Sequence, residues 1–245
     1  MKSLALTLSL LGANASLFAH DLIQVVTEDL RPFNYLENGE IVGSSTALVR
    51  KVLQEAKVEA KFQLHPWARS YAMAQRDENT LIYTINRTPA REAKFKWIGL
   101  LGAEENDTFF FKLAANNQIQ VQTLEQAKQY SIGVSLHDVN HEILKSEGFN
   151  RIHAVSQFNQ SVQMLLRDRI DLIVGSYPVL LEACNHLNIS IDEIEAVTSF
   201  RASRPYMAMS KSTSEKMANR LKASYQKLVS MGEIPDFEAQ ITAVE

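Results

Sequence analysis

Three arginines in the first half of the chain, Arg69, Arg87 and Arg91, are the residues best suited to hold an acid. A guanidinium is a planar fork whose donors match two carboxylate oxygens, so one buried arginine can grip and orient a carboxylate. Two acids, Glu28 and Asp138, are candidates for the opposite task of gripping a cation. Phe33, Tyr35, Trp67 and Tyr83 offer ring faces for an apolar body or a cation. Trp67 ranks first, because Pro66-Trp67-Ala68-Arg69 places it at the start of a helix with Arg69 beside it. Glu28, Asp138 or His137 could serve as an acid or base, but no second group pairs with any of them. There is no HExxH, P-loop, GxGxxG or nucleophile elbow. His137 and His141 form the one helical histidine pair and read as surface residues rather than zinc ligands. The expectation is a binding protein, not an enzyme, with no cofactor and no metal.

Composition agrees. The chain has 245 residues, 46% hydrophobic and 22% charged, which excludes disorder and a disulfide scaffold. A net charge of −3 gives no reason to expect nucleic acid or an anionic membrane as partner, so a small molecule is expected. Residues 1–19 read as a secretory signal: Lys2, the apolar run Leu4 to Leu11, then small residues at Ala13, Ala15 and Ala19. Cleavage after Ala15 and after Ala19 both fit. No later stretch approaches the roughly 20 apolar residues of a membrane helix. Cys184 is the only cysteine, so no intramolecular disulfide forms, and its place with Leu180 and Leu181 on a helical pattern predicts a buried, inert thiol.

Strand-like and helix-like segments alternate beyond the signal, the pattern of an α/β fold. Leu22 to Val26, Lys61 to Leu64, Leu81 to Ile85 and Thr108 to Leu113 read as extended. Helices are expected from Ser44 or Ser45 as cap through Leu48, Val49, Val52, Leu53 and Ala56, and over Trp67 to Gln75. The pattern then restarts. Thr123 with Gln126 boxes a short helix, Ser131 to Leu136 is a strand, and Asp138 can cap a helix ending near Gly148. Ile152 to Val155, a helix through Val162, Leu165 and Leu166, Ile170 to Val174 and a helix from Pro178 follow. Tyr206 to Met209 is a last strand, and Ser212 with Glu215 boxes a long helix ending before Gly232. No low-complexity linker separates the halves, so two lobes would be joined by ordered strands, for which Thr108 to Leu113 and Val197 to Ser203 are the candidates.

These residues resemble the bacterial extracellular solute-binding proteins of family 3 over nearly the whole chain after the signal. The likeness rests on Arg31-Pro32-Phe33, Asn38-Gly39-Glu40-Ile41-Val42-Gly43, Thr88-Pro89-Ala90-Arg91 and Phe95-Lys96-Trp97. Ile132-Gly133-Val134, Arg169-Ile170-Asp171-Leu172-Ile173 and Tyr206-Met207-Ala208-Met209 complete it. It implies the two-lobed α/β periplasmic-binding-protein fold of type II, with two crossover hinge strands and a ligand cleft. Residues 20–108 with 202–245 would form one lobe and 109–201 the other.

The resemblance also implies a monomeric periplasmic protein that captures an amino acid or related organic acid by hinge closure for an ABC permease. An inner-membrane sensor could take the permease's place as partner, and a ligand-sensing periplasmic domain without transport, or a dehydratase-like enzyme on the same fold, is the alternative function. Arg91, ending the Thr-x-x-Arg motif, would clamp the ligand's carboxylate, helped by Thr84, Asn86 and Thr88. The amine side departs from the pattern. The family's acid, five residues after Asp171, is here Ser176, whose hydroxyl cannot neutralise an ammonium. Glu28 and Asp138 are the carboxylates able to compensate, although Asp138 can equally be a helix cap and Glu28 a loop acid. Arg69 and Arg87 either add positive charge to the cleft or are solvated, and Tyr71 is left to packing.

Overall fold

A computed structural model describes residues 22–102, 107–201 and 204–242; the expected signal and the end of the expected return crossing lie outside them. The first part of the chain runs β1 (Ile23–Thr27), β2 (Tyr35–Glu37), β3 (Glu40–Val42), α1 (Ser44–Glu55), β4 (Ala60–Leu64), α2 (Trp67–Arg76), β5 (Thr80–Asn86), α3 (Pro89–Glu92) and β6 (Phe95–Leu100). Then come β7 (Thr108–Leu113), α4 (Leu124–Ala127), β8 (Ile132–Ser135), α5 (Val139–Ser146), β9 (Ile152–Val155), α6 (Phe158–Leu166), β10 (Leu172–Ser176) and α7 (Tyr177–Leu187). A 3-10 turn at Ile191–Glu193 leads to β11 (Ile194–Arg201), β12 (Pro205–Ser210), α8 (Glu215–Ser230) and α9 (Phe237–Thr242).

The strands form two five-stranded mixed sheets, ordered β4-β1-β5-β12-β6 and β11-β7-β10-β8-β9. Each is buried on both faces, as parallel central strands require. In the first sheet Val25 points into one core with Val49, Val52 and Leu221, while Val26 points into another with Trp67, Tyr71 and Ala208. In the second, Phe110 and Phe111 divide in the same way. The two lobes are therefore separate packing units. β7 and β11 lie next to the two connections between sheets and pair antiparallel with each other.

Several local expectations change. α1 has no serine cap: its N-cap is Gly43, and the orphan amide of Ser45 donates instead to the Phe33 carbonyl at 3.0 Å. α8 is capped by Ser214, whose Oγ accepts from the Met217 amide, and not by Ser212. Upstream, the Ser210 and Thr213 hydroxyls bond each other and Thr213 Oγ1 accepts from the Asn79 amide, which keeps that stretch out of the helix. Thr123 does cap α4, but the Gln126 side chain reaches the Gln122 amide rather than closing the box. Leu181 is exposed; Leu180 and Cys184 carry the buried stripe of α7. The β2–β3 hairpin and β6 have no counterpart in the periodicity reading. The hairpin turns on Asn38 and Gly39, both at positive φ, the two-residue geometry that Asn-Gly favours.

Candidate functional site

Thr84 breaks the alternation of β5. Leu81 and Tyr83 face one core and Ile82 the other, but Ile85 joins Ile82 rather than Tyr83. Thr84 has φ 59, a left-handed conformation unusual for a β-branched residue, and β12 skips it, pairing Tyr206 with Ile85 and Met207 with Tyr83. The bulge places Thr84 on a cavity of about 100 Å³ between the lobes.

A buried asparagine supports this wall. Asn34, wholly inaccessible, donates to Thr27 Oγ1 at 2.9 Å and to the Glu28 carbonyl at 2.7 Å, and accepts from Thr84 Oγ1 at 2.6 Å. It ties the residue after the Arg31-Pro32-Phe33 turn to the ends of β1 and β5. Glu28, Leu30, Phe33, Trp67, Thr84, Asn86 and Arg91 line the cavity from the first lobe. Ser135, Asp138, Val139, Asn140, Phe158, Ser176 and Val179 line it from the second. Gly175 makes room for Phe158, since a Cβ there would lie 2.7 Å from the ring.

Arg91 is fully buried at the first turn after β5. Its Nε donates to Glu142 Oε2 at 3.0 Å and its Nη2 to the His137 carbonyl at 3.4 Å, both across the cleft; Nη1 is buried with no partner. The guanidinium sits 4.9 Å from the Tyr71 ring centroid and 5.8 Å from that of Trp67. Trp67 Nε1 also donates to the His137 carbonyl, at 2.8 Å. That carbonyl is presented by a left-handed His137, φ 60, whose amide donates to His141 Nδ1 at 3.0 Å. Two lobe-one donors thus meet one lobe-two acceptor, and a salt bridge lies alongside. Glu142 keeps contact with solvent while Arg91 has none, so part of their attraction is spent on desolvating the guanidinium. We expect Glu142→Gln to favour the open state, read as a larger radius of gyration in small-angle scattering of the ligand-free protein; an unchanged radius would show that Glu142 does not hold the lobes together.

The cavity holds two carboxyl groups, of Glu28 and Asp138, and one guanidinium, of Arg91. Glu28 keeps some accessible surface, but its carboxyl is enclosed by protein, and this enclosure governs its titration. Burial first, then the charges of Asp138 and Asp29, push it up to about 8, with Arg91 acting in the opposite sense. Asp138 caps α5, its Oδ1 accepting from the His141 amide at 2.6 Å, and the residue also lines the cavity. Ser176, the residue before α7, also lines it and makes no side-chain cap bond.

The structure brings Arg91, Asn86, Thr84, Glu28, Trp67, Asp138, Phe33 and Ser176 together and leaves out Arg69 and Tyr83. Arg69, two residues past Trp67, is turned about 200° around α2 and is exposed. Tyr83 packs in the core, its hydroxyl 2.9 Å from Thr46 Oγ1. Arg87 pairs with Glu92 at the surface, and the Tyr35 ring lies under Arg31. The expected surface histidine His141 is instead buried, because its ring accepts the His137 amide. Asn34, Glu142 and Phe158 were not singled out; only Asn34 carried a signal, its place directly after Arg31-Pro32-Phe33. Among the described residues no cluster suited to a metal occurs, and no helix is long and apolar enough to cross a membrane.

Two α/β lobes enclosing a polar cavity reached by side chains from both define the class of periplasmic binding proteins. The sequence profile of the bacterial extracellular solute-binding proteins, family 3, matches residues 22–240, and the chain belongs to that family. No curated protein sequence matches it. Among solved structures it is similar to a histidine kinase sensor domain with similarity to periplasmic binding proteins: 14% identity, 90% of this chain, 96% of that one, TM-score 0.76. It is also similar to an ancestral arginine-binding protein bound to arginine (17% identity, 90% and 97% covered, TM-score 0.73). A third is the arginine-, lysine-, histidine-binding protein ArtJ from Geobacillus stearothermophilus (16% identity, 89% and 94% covered, TM-score 0.72).

Proposed function

We propose that this protein captures a small carboxylate-bearing solute, an amino acid or related organic acid, in the periplasm and delivers it to an ABC importer. The observation that carries the reading is Arg91: a fully buried guanidinium at the cavity with one terminal nitrogen unpaired. A buried donor without a partner costs about 1–3 kcal/mol, and a carboxylate entering the cavity relieves that cost in a charge-assisted bond. Thr84, Asn86 and Ser176 supply neutral polar groups around it, and Phe33, Trp67 and Phe158 cover the ligand's apolar part. Solved relatives named for arginine, lysine and histidine binding support a solute of amino-acid type.

Hinge closure between residues 20–108 with 202–245 and residues 109–201 follows from the same contacts. The ligand shifts the equilibrium by its greater affinity for the closed state, where both lobes touch it. No chemical step is assigned to the site. A second reading, a sensor without transport, draws on the likeness to the histidine kinase sensor domain and uses the same cavity.

A thermal-shift screen against amino acids, polyamines, dicarboxylates and aromatic acids tests the proposal. A native-state ligand at a hundred times its Kd stabilises by about 2.7 kcal/mol, a shift of several degrees for a chain of this size. Stabilisation by carboxylate-bearing compounds is expected; no shift with any of them, or a response to polyamines alone, overturns it. Uptake of the labelled ligand, unchanged when the protein is deleted, would replace the importer with the sensor.

A further inference from the structure

One carbonyl ties the two lobes together. Trp67 Nε1 and Arg91 Nη2 of the first lobe both donate to the His137 oxygen, at 2.8 and 3.4 Å, while Arg91 Nε reaches Glu142 in the first turn of α5. What holds that oxygen in place lies in the second lobe. His137 is left-handed at φ 60, a conformation that a residue with a side chain keeps only where its neighbours enforce it. Its amide donates to His141 Nδ1 at 3.0 Å, and the His141 amide donates in turn to Asp138 Oδ1 at 2.6 Å, a reciprocal pair around the start of α5. We propose that His141 is a positioning residue for solute capture: its neutral ring sets the His137 carbonyl against Trp67 and Arg91, and protonation of the ring lets the lobes part. The inference rests on reading the lobes as closing on a solute, and it adds control of that closure by pH.

The device depends on one lone pair. Nδ1 accepts only while unprotonated, which places the ring's single proton on Nε2. A second proton, on Nδ1, turns two donors toward each other, so the bond is lost and the His137 amide is left unpaired. Burial first, then the charges of Lys145 and His137, lower the His141 pKa against the pull of Glu142, so the ring is neutral at pH 7. Its own helix and turn also bring Asp138 and the His137 ring, whose centroid is 5.9 Å away. α5 packs on β8, which carries no titratable side chain, and on β9, whose His153 is exposed. The first lobe brings Arg91, with His65 and Arg69 on the segment around Trp67.

The closed arrangement needs the neutral ring. Closure therefore has its full stability above the pH at which the open form titrates, and loses it as pH falls through the titration of the closed form. Solute binding should weaken on acidification by at most about tenfold per pH unit, the limit for one proton.

Trp67 reports on the tie directly. Trp67 and Trp97 are the two tryptophans of the chain, so the isotope-labelled whole protein gives two indole N–H signals in NMR, assigned with Trp67→Phe. Without ligand, between about pH 8 and about pH 4.5, the Trp67 signal should leave its hydrogen-bonded position in step with the His141 ring, at a midpoint on the acid side of an ordinary histidine. The radius of gyration should rise with it. His141→Ala should show the acid position already at the alkaline end. His141→Asn puts an amide oxygen in the place of Nδ1 and takes up no proton, so it should restore the tie and hold it throughout the titration. If His141→Ala does not fold, the wild type against His141→Asn decides. A Trp67 signal that is solvent-exposed from the start, that stays in place while His141 titrates, or that responds to acid equally in His141→Asn overturns the inference, as does a His141 ring that does not titrate in this range. The proposed function fails separately: it falls if no carboxylate-bearing compound raises the melting temperature at neutral pH, whatever the Trp67 signal does.

Discussion

Arg91→Ala should lower ligand affinity by about 100-fold or more while changing the melting temperature of the ligand-free protein much less. Truncating one partner of a buried, hydrogen-bonded charge pair costs about 2–5 kcal/mol in binding. In the free protein the account differs. The wild-type guanidinium is buried with Nη1 unpaired, and its ion-pair partner Glu142 is part-exposed and regains water when the arginine is removed. The lost contacts with Tyr71, Trp67 and the His137 carbonyl are thus set against relief of an unsatisfied donor. Arg91→Lys keeps the charge but loses the fork and should fall between the two. Calorimetric titration with whichever compound stabilises the wild type, beside melting curves without ligand, separates the possibilities. A variant that binds normally but melts far lower would make Arg91 a structural residue.

The second large effect is on stability. Gly43→Ala should destabilise the protein by about 3 kcal/mol or more, a drop of roughly 10 °C in melting temperature. Gly43 has φ 113, closed to L side chains, and a Cβ there would lie 2.4 Å from the Phe33 carbonyl oxygen and 2.9 Å from the Asn34 amide nitrogen. Both neighbours are backbone and cannot rotate away. The Phe33 carbonyl also serves the start of α1, since the Ser45 amide donates to it. Relieving the clash would push Phe33 off the cavity and pull at Asn34, which holds Thr84 and the Glu28 backbone, so affinity should fall together with stability. Gly39→Ala is the matched comparison. Gly39 also has positive φ, 85, but nothing lies within 4 Å of its Cβ direction, so only the backbone term of about 1 kcal/mol remains. Equal losses at the two positions would show that the Phe33 contact carries no weight.

How much of the cleft could be read beforehand differed from residue to residue. Arg91, Glu28, Asp138, Trp67 and Phe33 were legible because each follows a turn or opens a helix, where side chains in an α/β fold reach the space between layers. Tyr83 misled because a strand residue's face is set by pairing, and the bulge that separates it from Thr84 exists only once β12 docks. Arg69 misled because adjacency to Trp67 in sequence is a large rotation on a helix. Glu142 gave no signal: an acid in the first turn of α5 looks like any surface carboxylate until the fold sets it against Arg91.

By itself the sequence determined the alternation of strands and helices, the cap at Asp138 and the family likeness. These depend on local periodicity and short-range hydrogen bonds, which neighbours in the chain supply. Only the tertiary structure decided that Arg91 is buried with one nitrogen unpaired, that the His137 carbonyl takes two donors from the opposite lobe, and that Glu28 and Asp138 share one cavity. Burial and charge proximity between residues 46 to 110 positions apart are properties of packing, and no pattern along the chain encodes the distance between them.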